Sequence, residues 1–91
     1  MLTSSHNPRL ARVRALLEKR KQREEEQAFV VEGVRLVEEA LQAGQQPELV
    51  LYTAQLSERG RGVVEAFASA GVETIEVAPR LMDSVESPTF P

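Results

Sequence analysis

Seven of the first 23 residues are cationic, at Arg9, Arg12, Arg14, Lys19, Arg20, Lys21 and Arg23, against the single acid Glu18. From residue 24 onward four cations face thirteen acids, and the net charge of −3 conceals this division. Cations at such density neutralise phosphates, giving a salt-sensitive contact that reads sequence poorly. An acidic body repels a polyanion elsewhere, so the contact would run along one edge. Asn7 and Pro8 suit the cap and first position of a helix. If that helix persists, Arg12, Lys19 and Arg23 share one stripe, flanked by Arg9 and Arg20. The competing reading of the stripe is an ordinary solvated helix face.

The second feature is Glu32-Gly33 within FVVEGVRLVEEAL. A phosphate cradle would want several glycines, and a catalytic carboxylate would want a partner or a metal close in sequence. The simpler account is architectural: an acid complements the positive end of a helix, and glycine permits the sharp turn. Glu32 is also placed to pair with Arg23. A fall in polyanion affinity without loss of stability in Glu32→Ala would refute a structural role.

Other chemistry is thin. No cysteine is present, which excludes disulfides and thiolate metal sites, and His6 is the only histidine. Ser57, Ser69, Ser84 and Ser87 have no histidine or lysine at a nucleophile's spacing. Glu24, Glu25 and Glu26 are consecutive and do not converge on one face. Tyr52 could stack on a base, but filling the core is the favoured reading. We therefore expect no catalytic residue and no metal site.

These residues must be positioned by a small domain. The 91 residues suit one core, and with three Phe, one Tyr and no Trp that core rests on Leu, Val and Ala. Leu10, Val13, Leu16 and Leu17 recur at helical spacing in the basic arm. Residues 28–32 (AFVVE) read as a buried strand and 33–43 as a second helix, closed by Gly44. A strand over 47–53 follows, then a helix capped by Ser57 and ended by Gly71, a strand over 72–77 and a short helix from Pro79. The order α, β, α, β, α, β, α requires a mainly parallel sheet with helices on both faces. The start lacks the order of a signal peptide and no apolar run is long enough to span a bilayer, so a soluble, cytoplasmic protein without membrane contact is expected.

Asn7-Pro8, the basic helix over 9–21, Arg23, the corner over 29–33 and the apolar-acidic helix over 36–41, followed by SPTFP, form an ordered set covering essentially the whole chain. In this it resembles the N-terminal substrate-binding domain of the SpoU (TrmH) family of RNA ribose 2′-O-methyltransferases. The resemblance implies a three-layer α/β/α sandwich similar to ribosomal proteins that bind RNA kink-turns. It implies a domain over 1–85, and a linker over 86–91 leading to a knotted catalytic domain outside this sequence. That domain would bind S-adenosylmethionine and form a homodimer, while this part would be monomeric and hold no cofactor. The partner would be rRNA or tRNA. Arg9, Arg12, Lys19, Arg20 and Arg23 would contact phosphates, with Arg35 adding another, and Glu32 and Gly33 would form the structural corner. The alternatives are a free-standing structured-RNA-binding module, disfavoured because the corner lacks the asparagine of kink-turn binders, and a protein-interaction domain using the basic helix.

Overall fold

The computed structural model describes residues 1–85. The expected linker over 86–91, Ser87 included, lies outside the described residues. Helix α1 (Pro8–Glu18) starts as its sequence requires: the Asn7 side chain accepts from the Arg9 N–H and Pro8 occupies the first turn. It is followed by α2 (Arg20–Glu26), α3 (Val34–Gln42), β1 (Leu49–Tyr52), α4 (Glu58–Ser69), β2 (Glu73–Glu76), α5 (Pro79–Met82) and a 3-10 turn over Asp83–Val85.

The strands β1 and β2 pair in parallel, Leu49 opposite Glu73 through Tyr52 opposite Glu76. A single parallel bridge adds Leu2 beside Val77, with the Leu2 N–H donating to Glu76 O at 2.8 Å and its carbonyl accepting from Ala78 at 2.9 Å. Alternation along β1 divides the interior in two. Val50 joins Val63 and Phe67, covered by Val37 and Leu41 of α3. Leu51 packs on the opposite cluster, where Leu10 of α1 meets Val77, Ala78, Leu81 and Val85. The α/β class and its three layers are thus as expected, with α1 and α5 on one face and α3 and α4 on the other.

Two elements differ from expectation. The basic helix breaks at Lys19, which is extended (φ −118°, ψ 109°) and closes α1 while opening α2. LLEKRKQR contains no proline or glycine, and the break is held by a side-chain contact within the segment itself. The Arg23 guanidinium turns back to donate to Leu16 O and Leu17 O at 2.7 and 3.1 Å, satisfying carbonyls that a helix end leaves orphaned. Residues 28–32 are not a strand. They pair with neither strand of the sheet, and Phe29 is 75% and Val31 40% exposed. Val77, just past the end of β2, has Leu2 on one side and donates its N–H to Tyr52 O at 2.7 Å on the other, so 28–32 is no neighbour of β2. Chain order in the structure is therefore three helices before the first strand.

Two glycines shape the packing that remains. Gly33 caps α3 at φ 90°, with open space where a Cβ would lie, so its backbone angle and not crowding requires glycine. At Gly60, a Cβ would come within 2.8 Å of Leu56 Cδ2 and 3.3 Å of Val34 Cγ2, so glycine lets α4 approach the start of α3.

Candidate functional site

The cations that dominate the sequence are mostly held by carboxylates in the fold. Arg9 reaches Glu73 Oε2 at 2.6 Å, and Arg12 bonds both Glu26 Oε1 and Glu48 Oε2 at 2.7 Å. Arg20 pairs with Glu24 at 2.9 Å and Arg35 with Glu39 at 3.6 Å, each one helical turn apart. Arg59 grips Glu38 through two guanidinium nitrogens. Hydrogen bonds to Glu48 and then to Glu26 hold the Arg12 guanidinium above even the ordinary arginine value. Glu26 is correspondingly acidic, first through Gln22 and then through Arg12, and Glu38 through Arg59.

The expected stripe of Arg12, Lys19 and Arg23, which required an unbroken helix, is divided. The break at Lys19 turns Arg20 and Arg23 onto a separate helix, Arg12 faces acids from α2 and the body, and Arg35 lies on α3. Lys19 has no ion pair among the described residues. Arg20 and Arg23 line a shallow depression with Glu24, Gln27, Ala28 and Phe29, and the Arg20–Glu24 pair there is largely exposed. Such pairs are weak and yield readily to a competing anion. Glu32 is half-buried and has an interaction of its own, next to the N-cap Gly33.

A second group was not singled out by the sequence. Arg61 donates to Ala54 O at 3.3 Å and Arg80 to Thr3 O at 3.0 Å, neutral acceptors that leave the positive charge uncompensated. Neither forms an ion pair among the described residues. Arg61 lines an open crevice with Tyr52, Thr53, Leu56, Glu65 and Glu76. Tyr52, read from sequence as core, is half-buried there. Arg61 sits between two glycines and Arg80 stands isolated, so no pattern of neighbours marks either one. Among the described residues no group of three metal-ligating side chains converges, and no helix is long and apolar enough to cross a membrane.

The family model of the MRM3-like substrate binding domain matches residues 7–89. The crystal structure of an rRNA methyltransferase from Sinorhizobium meliloti is similar at a TM-score of 0.75 and 28% identity, over 92% of this chain and 30% of that chain. A comparison with curated proteins finds no match. The chain belongs to the MRM3-like substrate binding domain family, in agreement with its resemblance to the substrate-binding domains of SpoU-type RNA methyltransferases. It spans 30% of the length of the methyltransferase it matches.

Proposed function

We propose that this chain grips rRNA, or alternatively tRNA, for an S-adenosylmethionine-dependent ribose 2′-O-methyltransferase, and positions one 2′-hydroxyl for a catalytic domain reached through 86–91. The observation that carries the reading is the likeness, over 92% of this chain, to one part of a much longer rRNA methyltransferase. Lys19, Arg20 and Arg23 supply the readiest phosphate contacts of the arm; Arg9, Arg12 and Arg35 contribute once their carboxylates are displaced. S-adenosylmethionine would supply an electrophilic methyl group. In this reading the donor is held by the catalytic domain, because a site for it must enclose most of the ligand and the depressions around Arg20 and Arg61 are open. In this reading the enzyme is cytoplasmic, dimerises through its catalytic domain, and the present chain alone is monomeric.

The exposed Phe29, Val31 and Leu36 favour a second reading, a protein-interaction domain. Titrating the chain with labelled rRNA fragments and tRNA at low and moderate salt separates the two. Binding that weakens steeply with salt is expected. Absence of binding to every RNA at low salt, with capture of a protein that survives nuclease, would overturn the RNA reading.

A further inference from the structure

We propose that the crevice at the carboxyl end of the sheet binds one unpaired nucleotide of the RNA, with Arg61 on its phosphate and the Tyr52 ring against its base. The inference rests on the RNA reading above and names the part of the RNA and the residues that meet it. Three observations carry it. The first is position: in parallel α/β sheets ligands bind beyond the carboxyl ends of the strands. Here β1 ends at Tyr52 and β2 at Glu76, both in the crevice wall, and Arg80 follows on the same edge, bonded to the residue after Leu2.

The second is charge. Arg9, Arg12, Arg20, Arg35 and Arg59 already face carboxylates and Arg23 is bound by two α1 carbonyls, whereas Arg61 and Arg80 donate to one backbone carbonyl each. At 3.3 Å the Arg61 bond to Ala54 O is long and is exchanged readily for a phosphate oxygen. The third is the mixture of groups in one wall. Glu65 and Glu76 line the crevice beside Tyr52, and carboxylates repel a phosphate but accept hydrogen bonds from the amino groups of a base. A nucleotide is therefore turned with its base inward and its phosphate toward Arg61. A paired base, stacked inside a duplex, presents neither its face nor its Watson–Crick edge, so the site selects a splayed nucleotide. The close approach of Gly60 to Leu56 and Val34 fixes the loop that forms one side.

The chain contains one Tyr and no Trp, so its tyrosine emission reports on Tyr52 alone. The test compares a labelled mixed-sequence single-stranded oligoribonucleotide with a fully paired RNA of equal length, for the wild type, Arg61→Ala, Arg80→Ala and Tyr52→Leu. Tyrosine emission is expected to be quenched by the single strand and not by the duplex. Arg61→Ala reduces the salt slope of single-strand binding by about one. Tyr52→Leu weakens that binding about tenfold, the scale of one lost stacked base. Should Tyr52→Leu fail to fold, the emission experiment on wild type and the exposed Arg61→Ala variant still decide. Unquenched emission at saturation, or unchanged binding by Arg61→Ala, overturns this inference and leaves the RNA reading standing. Absence of binding by the wild type to either RNA overturns both.

Discussion

In the basic arm of α1 and α2, Arg9, Arg12 and Arg20 are tied to carboxylates while Arg14 and Arg23 donate to backbone carbonyls; at the carboxyl edge of the sheet both arginines donate to carbonyls. The arm is rich in charge along the chain and poor in space, because acids from distant segments fold onto it: Glu73 reaches Arg9, and Glu48 reaches Arg12. The edge has only Arg61 and Arg80, yet backbone carbonyls hold both. A guanidinium bonded to a carboxylate is spent as a structural tie, whereas one bonded to a carbonyl keeps its field. Charge counted along a chain therefore overstates an arm whose partners arrive from elsewhere.

The comparison is most strongly tested at its foundations. The edge stands on Phe67, 1% exposed beneath β1 and β2, and Phe67→Ala should cost about 3–5 kcal/mol. A urea titration that moves the midpoint by much less would show that the edge is no rigid platform. The arm depends instead on Arg23, whose two bonds to α1 carbonyls hold the break at Lys19. Arg23→Ala should lose about 1–2 kcal/mol and expose the 16–19 amides to faster hydrogen exchange.

Acid should loosen the ion-paired regions by a smaller amount. Glu26 and Glu38 titrate below the ordinary glutamate range when folded, through Gln22 and Arg12 in one case and Arg59 in the other. Their stabilisation is present above the unfolded value of about 4.3 and is lost as pH falls through the lower folded values. Thermal midpoints at descending pH should drop in that window, and the drop should flatten in the Glu26→Gln, Glu38→Gln double variant. The smallest effect is expected for Arg12→Ala, whose salt slope for RNA should change by less than about one phosphate's worth. A change larger than that of Arg61→Ala would reverse the ranking of the two regions.

Much of the fold could be read from local signals. Asn7-Pro8 starts α1, Ser57 accepts from Gly60 N–H to start α4, and Gly33 turns into α3, each through chemistry confined to a few neighbours. Parallel pairing of 49–52 with 73–76 followed from the intervening helix. What failed depended on distant groups. The break at Lys19 is the exception, held by Arg23 from the adjoining helix, whereas 28–32 is apolar enough for a strand but pairs with neither β1 nor β2. The surroundings of the candidate cations were hidden for the same reason: the ion pair of Arg12 with Glu48 spans 36 residues, and the crevice around Arg61 needs two strand ends and a helix to meet.

The tie between the beginning and the end of the described chain has a kinetic side. Leu2 completes the sheet beside Val77, and Arg80 then fastens Thr3 across 77 residues of sequence. Closing so long a loop carries a large entropic cost, so these contacts are expected to form after the local α4–β2 unit. On a ribosome, Leu2 and Thr3 would wait for Val77 and Arg80 to emerge before they lock into place.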